Sequence, residues 1–395
     1  MTTIEQTTNE VSTTGLSRRH FIQAAAATGV AIPFAQMLGG SSVGAAGKVF
    51  RYAAQAQEGP AAPWMSKGGS LGILNAVGSW LCDVAPSGEL KPSIATNWKG
   101  SNAGQTWTFT IRADVKFHDG AALTADDVVY TVKSHLDPVN KSQSAARLAD
   151  VADCVKVNAT TVRFDLKKAN ANFPFAVSSS NYGLLMLKNG TKGDESWVKT
   201  MNGTGKWIMV SHKVNEKTVF KRNPNYFDKA QMPSFETMEQ IQYVSQSAAI
   251  PALKTGKLDS IHLLYGNEAD TLPKAKFYKT LVPTCGGLHM HMRADIGQLT
   301  DKRVREAIAL TLDRTAYIKG VLGGYALIAN DSVMDSFPTA DKTVPQRNKD
   351  IARAKSLLAE AGVPNGFKVT LQSWKRDDID KFTQFVKSSC KEIGI

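Results

Sequence analysis

The feature that most constrains the fold is a strict alternation of apolar and hydroxyl side chains in Thr106–Ile111, where tryptophan, phenylalanine and isoleucine alternate with threonines. A period of two predicts a β-strand with one face in a core and the other in water. Residues 118–120 read His-Asp-Gly and predict a turn. Thr124 and Asp127 then form a capping pair before an apolar run of helical period. This region therefore predicts a strand, a turn and a helix in succession.

The same patterns predict further strands and helices along the chain. Alternating apolar residues predict strands that include 48–55, 162–166, 219–220, 288–293 and 367–371. Apolar residues at helical spacing predict helices at 247–254, 301–314, 349–361 and 380–393. Pro251 lies inside the first of these helices and is expected to kink or shorten it. Strands and helices are mixed throughout, which predicts an α/β fold with mixed sheets.

Length and composition limit the classes of function. The chain has 395 residues, enough for two or three domains, and its 43% apolar and 21% charged residues are typical of a folded soluble protein. The 47 basic residues exceed the 35 acidic residues by 12. The basic residues are dispersed in twos and threes with no run of five like charges, so binding to nucleic acid is not expected.

Residues 1–46 differ in character from the rest of the chain. A polar leader precedes Ser-Arg-Arg-His-Phe-Ile, which contains Arg18 and Arg19, and a mildly apolar stretch follows at 24–38. This order predicts a signal peptide for the twin-arginine export machinery, with cleavage before Gly47. The apolar stretch is short and interrupted by polar residues, so it does not suit a span of about 30 Å of hydrocarbon. We therefore expect an exported protein located in the periplasm.

The cysteines leave two alternatives open. Cys82, Cys154, Cys285 and Cys390 are widely spaced and include no Cys-x-x-Cys pair, so a zinc site is not expected. Export to an oxidising compartment would allow one or two disulfides, in three full pairings that the sequence does not rank. An unpaired buried thiol is an equal alternative for each cysteine.

The motifs offer no catalytic constellation. Residues 40–44 spell Gly-Ser-Ser-Val-Gly, the pattern of a hydrolase nucleophile, but lie in the predicted signal peptide with no strand before them. His118 and Asp119 are adjacent in a turn and are expected to make structural hydrogen bonds. There is no phosphate-binding glycine loop, no dinucleotide fingerprint and no His-Glu-x-x-His. Neither an enzyme nor a bound cofactor is expected.

A run of alternating histidine and methionine invites a copper site, because imidazole and thioether groups both suit copper. The run is His289, Met290, His291 and Met292. On a strand the histidines face one side and the methionines the other, so all four cannot bind one ion. The methionines are expected in a core and the histidines on a surface or in a cleft, and no metal site is predicted.

Several segments match, in order, the signature of one family. They begin with Leu-Lys-Pro-Ser-Ile-Ala-Thr-Asn-Trp and lie at 90–98, 107–112, 115–120, 123–128, 203–205, 221–226, 253–259, 301–308, 312–314 and 354–362. The chain thereby resembles, over residues 48–395, the bacterial extracellular solute-binding proteins of ABC importers in the dipeptide, oligopeptide and nickel-binding group (family 5). It departs from the family at Lys206, where proline is usual, and at Arg293, where many members have asparagine.

The resemblance implies a two-lobed periplasmic-binding-protein (type II) fold, with a hinge and a cleft that closes on ligand. Residues 47–270 would form lobe I and residues 271–395 a truncated lobe II, because family members continue beyond the corresponding segment. The implied function is that of the periplasmic substrate-binding component of an ABC importer, a monomer that binds a dipeptide- or oligopeptide-like solute and delivers it to the permease subunits. No residue would be catalytic.

Ligand contacts are expected from the loop after the first strand, from the histidine run and from the segment after residue 371. The candidate ligand-binding residues are Gln55, Gln57, His291, Arg293, Trp374 and Arg376. Trp374 and Arg376 form the best pair, because an indole wall and a guanidinium suit a ligand with an apolar body and a carboxylate. Two alternatives remain: a non-peptide solute such as an opine, a sugar oligomer, nickel or haem, and a truncated receptor without transport function.

Overall fold

The structure is a computed structural model of the chain. It describes residues 22–23, 49–85, 87–264, 268–274, 276–280, 287–329, 341, 343–373 and 376–395. Arg18, Arg19, Cys285 and Trp374 lie outside the described residues. The predicted signal peptide is described only at Ile22–Gln23.

The described strands form four sheets. The strands are β1 (Ile22–Gln23), β2 (Val49–Gln55), β3 (Cys82–Val84), β4 (Leu90–Pro92), β5 (Ala95–Ser101), β6 (Thr106–Ile111), β7 (Val151–Asn158), β8 (Thr161–Leu166), β9 (Trp207–Lys213), β10 (Lys217–Arg222), β11 (Thr237–Tyr243), β12 (Ser260–Ile261) and β13 (Tyr278–Lys279). The strand orders are β12-β2-β11-β10-β9, β5-β6-β8-β7, β3-β4 and β1-β13.

The α-helices described are α1 (Ser70–Val77), α2 (Ala125–Leu136), α3 (Phe173–Ala176), α4 (Ile250–Lys254), α5 (Lys302–Leu310), α6 (Arg314–Gly320), α7 (Ile351–Glu360) and α8 (Asp377–Lys391). The helices predicted from apolar spacing are therefore present. The first of them is short: Pro251 lies in the first turn of α4, where its missing N–H costs nothing, and a 3₁₀ turn precedes it.

The alternating strand Thr106–Ile111 is β6 and lies in an antiparallel sheet. β6 pairs with β5 on one side and with β8 on the other. Phe109 is fully buried and meets the ring of Phe164 edge-on at 5.4 Å, and Phe164 in turn lies 5.0 Å from the ring of Phe173. Thr110 faces water, as the alternation predicted. Aromatic packing therefore holds this sheet against its core.

The predicted capping pair starts α2. Asp127 accepts hydrogen bonds from the backbone N–H of Thr124 at 2.7 Å and from its hydroxyl at 3.0 Å. Val128 and Val132 follow on the buried face of the helix. This reciprocal cap satisfies donors that a helix start leaves without intrahelical partners, so the sequence pattern and the observed helix start agree.

The five-stranded sheet combines parallel and antiparallel pairs. β2 is parallel to both β11 and β12, whereas β10 is antiparallel to β11 and to β9. One face of this sheet contributes Phe50 and Phe220 to the core that it shares with the four-stranded sheet. The other face contributes Ala53 and Ile261 to a smaller core around α4. Because three strands run the same way, their carboxyl ends meet at one edge.

Three helices share a separate apolar cluster in the C-terminal part. α5, α7 and α8 contribute Val304, Leu358 and Val386, all nearly inaccessible to water. Burying a side chain of this size stabilises the fold by roughly 1.5–3 kcal/mol. The helical spacing in the sequence had indicated the apolar faces of α5 and α7, which include Val304 and Leu358.

The strands predicted at 288–293 and 367–371 are not observed, because neither segment joins a hydrogen-bonded ladder with another described segment. The alternation nevertheless sets which side chains turn inward. Met290 and Met292 pack against the C-terminal helices, whereas His289 and His291 are exposed. A strand requires a neighbouring strand as well as a period of two, and only the period is visible in the sequence.

The His-Asp-Gly turn is hydrogen-bonded to a distant segment of the chain. The backbone N–H of His118 donates to the carbonyl of Gly203 at 2.8 Å, and its Nε2 lies 3.2 Å from the carbonyl oxygen of Gly205. These glycines cross the end of α1 so closely that a Cβ on Gly203 would lie 2.0 Å from the carbonyl oxygen of Val77. Asp119 accepts a hydrogen bond from the Lys188 ammonium at 2.8 Å. His118 and Asp119 make structural hydrogen bonds, as predicted, and these bonds also hold the turn to the segment of Gly203 and Gly205.

Three of the cysteines are free thiols. Cys82, Cys154 and Cys390 are buried and unpaired in the part of the chain that the structure covers. Burial raises the pKa of Cys154 to about 12 and also raises that of Cys82, so these thiols are weak nucleophiles. Among the residues described, no helix combines the length and the apolar character needed to cross a membrane.

Candidate functional site

The edge where the parallel strands end is the candidate site. In the ladder Tyr243, the last residue of β11, lies opposite Gln55, the last residue of β2. Ile261 at the end of β12 lies opposite Ala53. In open α/β sheets ligands bind outside the carboxyl ends of the strands. We call this end of the sheet, with the segments that leave it, the carboxyl edge.

The two glutamines predicted as ligand contacts both lie at the carboxyl edge. Gln55 ends β2 and is half-buried. Gln57 is 8% exposed, and its backbone N–H donates to the side-chain oxygen of Asn215 at 2.8 Å. Its side-chain Nε2 donates to Ser70 at the start of α1 at 3.4 Å. The amide oxygen of Gln57 is buried and has no hydrogen-bond partner among the described residues.

Two further glutamines at the same edge were missed by the sequence reasoning. The backbone N–H of Gln242 donates to the carbonyl of Glu216. Glu216 is adjacent to Asn215, which accepts the hydrogen bond from Gln57. Gln246 follows three residues after β11 ends. Both side chains are more than nine-tenths buried, and none of their four amide atoms has a partner within the described ranges. Gln57, Gln242 and Gln246 are called the glutamine cluster below.

The cluster is unusual on energetic grounds. A buried polar group without a partner costs roughly 1–3 kcal/mol, so most buried amides in proteins are hydrogen-bonded. Gln240, one inward position deeper in β11, is partly satisfied: its Nε2 donates to the carbonyl of Gly69 at 3.4 Å, whereas its amide oxygen has no partner among the described residues. The sequence contains no clear signal for them: Gln240 and Gln242 share one face of β11, while the apolar Ile241 and Tyr243 lie on the other face, so the alternation alone would place the glutamines outward.

The predicted contacts His291 and Arg293 lie on the exposed side of the histidine run. The rings of His289 and His291 lie 6.5 Å apart. Arg293 forms a bidentate pair with Asp295, at 2.7 and 2.6 Å, and this guanidinium holds the pKa of that carboxyl below its usual range. The partner is only two residues away, so the structure does not join Arg293 to the carboxyl edge.

Arg376 is bound locally as well. It is half-buried before α8 and makes two hydrogen bonds to the buried carboxylate of Asp378, at 2.6 and 2.8 Å. A charge-assisted bidentate pair is among the stronger hydrogen-bonded contacts in proteins. Trp374, its predicted companion, lies outside the described residues. The proposed tryptophan and arginine pair therefore stays a prediction.

Polar contacts connect the region of the carboxyl edge to the C-terminal part. Glu268 accepts a hydrogen bond from the hydroxyl of Ser247 at 2.9 Å and lies 3.3 Å from the ammonium of Lys381 on α8. Asp270 accepts a hydrogen bond from the hydroxyl of Tyr325 at 3.0 Å. The Lys279 ammonium lowers the pKa of Asp270 through a hydrogen bond. Glu268 and Asp270, both in the turn Glu268–Thr271, thus contact Lys381 and Tyr325 in the C-terminal part.

The charged and metal-binding options at the edge are limited. Within the ranges that the structure covers, no group of three or more histidine, cysteine, aspartate or glutamate side chains is arranged to hold a metal ion. Tyr52 lies in β2, and burial raises the pKa of its hydroxyl, so that this group stays neutral. The amides at the edge suit non-covalent binding of a polar solute through hydrogen bonds.

The sequence and the fold are similar to those of known proteins. The model of bacterial extracellular solute-binding proteins, family 5 Middle, matches residues 89–395. The nickel-binding periplasmic protein of Escherichia coli (strain K12) is 26% identical over 285 residues, covering 70% of this chain and 53% of that protein. The periplasmic murein peptide-binding protein MppA of the same strain is 28% identical over 313 residues, covering 70% and 55%.

A solved structure agrees with these matches. AgaA from A. tumefaciens R10, solved in complex with agropinic acid, superposes with a TM-score of 0.73 at 19% identity, covering 88% of this chain and 71% of that one. The fold is therefore the two-lobed α/β fold of periplasmic binding proteins, as the sequence predicted. The chain spans about half the length of the curated relatives it matches. The chain belongs to the bacterial extracellular solute-binding proteins of family 5.

Proposed function

We propose that this protein is the periplasmic substrate-binding component of an ABC importer and that it binds a small polar solute, in the first instance a dipeptide or oligopeptide. The observation that carries the proposal is the glutamine cluster, which places unpaired amide groups at the carboxyl edge of a periplasmic-binding-protein fold. Family membership and the peptide named for MppA support the same class of solute.

Binding at the carboxyl edge gives each predicted contact a role. Residues 47–270 form the lobe that presents Gln55 and Gln57, and residues 271–395 belong to the second lobe, which presents His291, Arg293, Trp374 and Arg376. Closure about the hinge brings the two sets toward the solute. Hydrogen bonds and charge pairs hold the solute without breaking a bond, so no residue is catalytic. The closed monomer then engages the permease subunits.

The export route follows from the first residues. Arg18 and Arg19 stand in the order that the twin-arginine machinery reads, ahead of an apolar stretch and small residues at the expected cleavage position. A folded binding protein delivered in this way would act in the periplasm, where the named relatives are located.

A thermal-shift panel tests the function. The purified chain is heated with a mixed tripeptide library, glutathione, agropinic acid, a nickel and histidine complex, and haem. A solute at 100 times its Kd stabilises the native state by about 2.7 kcal/mol, which raises the unfolding midpoint by several degrees. We expect the tripeptide library to raise the unfolding midpoint by this amount. Lys99→Ala, an exposed change on β5, is the control and keeps the shift. Absence of a shift with every solute contradicts the proposal.

A further inference from the structure

The glutamine cluster is organised by its surroundings. The tip of the β9 and β10 hairpin binds the backbone of both Gln57 and Gln242, through adjacent residues Asn215 and Glu216. The N–H of Ala56 donates to the carbonyl of Tyr243 at 3.0 Å, which fixes the chain on either side of the cluster. The backbone at Gln57 and at Gln242 is therefore held by neighbouring strands. Gln246 lies beyond β11, at the start of the 3₁₀ turn Ser247–Ala249.

The cluster presents donors and acceptors without a charge. Five side-chain amide atoms are buried and without a partner among the residues described: the oxygen of Gln57 and both amide atoms of Gln242 and Gln246. An amide carries a strong acceptor and two donor hydrogens on neighbouring atoms. A second amide is its natural complement, because each supplies what the other needs. A carboxylate or an ammonium would leave half of these atoms without a partner.

The charged residues nearby are already engaged or lie at the surface. Glu216 forms an ion pair with Lys213 at 2.6 Å, and Glu268 lies 3.3 Å from the ammonium of Lys381. Glu58, next to Gln57 in sequence, is exposed. The cluster itself is neutral, so it offers no charge to balance an ionised solute group.

We propose that the glutamine cluster is a subsite for an uncharged amide group of the solute, a peptide bond or a carboxamide, and that it selects against a charge at this point. The proposal rests on the proposed function and specifies which part of the solute this lobe recognises. Each glutamine side chain has three rotatable bonds, so a rotamer change turns its amide toward a solute at the edge. The hydrogen bonds then form in a site largely shielded from water, where they are strong.

The stability of the empty protein after a glutamine is replaced distinguishes a binding role from a structural role. If bound water or the fold itself satisfies these amides in the empty protein, replacing one by an apolar side chain of similar size lowers the stability of the empty protein. If the amides await a solute, the same replacement removes an unpaired polar group and leaves the empty protein equally or more stable. Solute binding falls in the second case because the partner is gone.

The experiment uses Gln242→Met and Gln246→Met in the full chain. Unfolding by urea is measured without solute, and affinity is measured with the mixed tripeptide library and with the same library methylated on its peptide nitrogens. We expect unchanged or higher stability without solute and an affinity lower by about tenfold for each variant. The original chain should bind the methylated library about tenfold more weakly than the unmethylated one. The affinities of the variants for the methylated library should differ little from that of the original chain. Gln298→Met, an exposed change in the C-terminal part, is the matched control and changes neither quantity.

The outcomes separate the two proposals. A loss of stability without solute in both variants overturns the subsite, because it assigns the amides to the folded framework. Unchanged tripeptide affinity in both variants also overturns the subsite but leaves the proposed function standing. If the original chain binds no member of the thermal-shift panel, the proposed function fails and the subsite with it.

Discussion

His135 gives the sharpest test of the fold, because it is a titratable group in the middle of a core. It lies on α2 with no exposed surface, and its Nδ1 lies 2.6 Å from the hydroxyl of Ser142. Its ring meets Trp64 edge-on at 6.4 Å. No described residue supplies a hydrogen-bond partner to its Nε2. Burial lowers the pKa of His135 to about 3, so the folded protein keeps the ring neutral.

The size and the sign of the effect follow from this pKa. An unfolded histidine has a pKa of about 6.5, so below that pH the unfolded chain takes up a proton that the folded chain refuses. The free energy of unfolding therefore carries no penalty from His135 well above pH 6.5, and it falls as the pH drops from 6.5 toward 3. Within this window one such histidine lowers the free energy of unfolding by about 1.4 kcal/mol for each pH unit. At pH 5 the loss relative to neutral pH is about 2 kcal/mol.

The measurement is a difference between two proteins. Urea unfolding followed by tryptophan fluorescence at pH 7.5 and pH 5.0 gives the acid loss of stability for the original chain and for His135→Gln, which cannot take up the proton. We expect the original chain to lose about 2 kcal/mol more than the variant. Ser142→Ala is the control and keeps the full acid loss, because burial and not the hydroxyl sets this pKa. Equal losses in the original chain and His135→Gln refute the reasoning.

Two further substitutions test the core that the five-stranded and four-stranded sheets share and the start of α2. Phe164→Ala removes a ring packed between other aromatic rings and should cost about 3–5 kcal/mol in urea unfolding, whereas Phe175→Ala at a partly exposed position should cost far less; similar costs for both would contradict the assigned core. Asp127→Ala removes the cap on Thr124 and should cost about 1–2 kcal/mol, whereas Asp126→Ala breaks an exposed ion pair and should cost less than about 1 kcal/mol; a reversed order would contradict the cap.

Local patterns were read correctly from the sequence because their causes are local. The alternation in β6 and the pair of Thr124 and Asp127 involve residues a few positions apart, and each is found as predicted. Pro251 shortened its helix for the same kind of reason, since a proline restricts its own turn. Such features need no knowledge of what lies across the fold.

Features that depend on distant partners were not predictable in the same way. Segments 288–293 and 367–371 have the period of strands, but a ladder also needs a second segment aligned beside each. The burial of Gln242 became apparent only once β11 was known to lie between β2 and β10. Gln55 and Gln57 were chosen because the resemblance indicated the loop after the first strand, and they lie at the carboxyl edge. Their role in binding stays a prediction.

The crossing of Gly203 and Gly205 over the end of α1 has a consequence for directed evolution of this protein. Any base change in the first two positions of either glycine codon adds a side chain or ends the chain, and a Cβ on Gly205 would lie 2.5 Å from the carbonyl carbon of Val77. Random libraries will lose members here to misfolding, whatever solute is selected. Diversity is better concentrated in the segments that leave the carboxyl edge, with both glycine codons held constant.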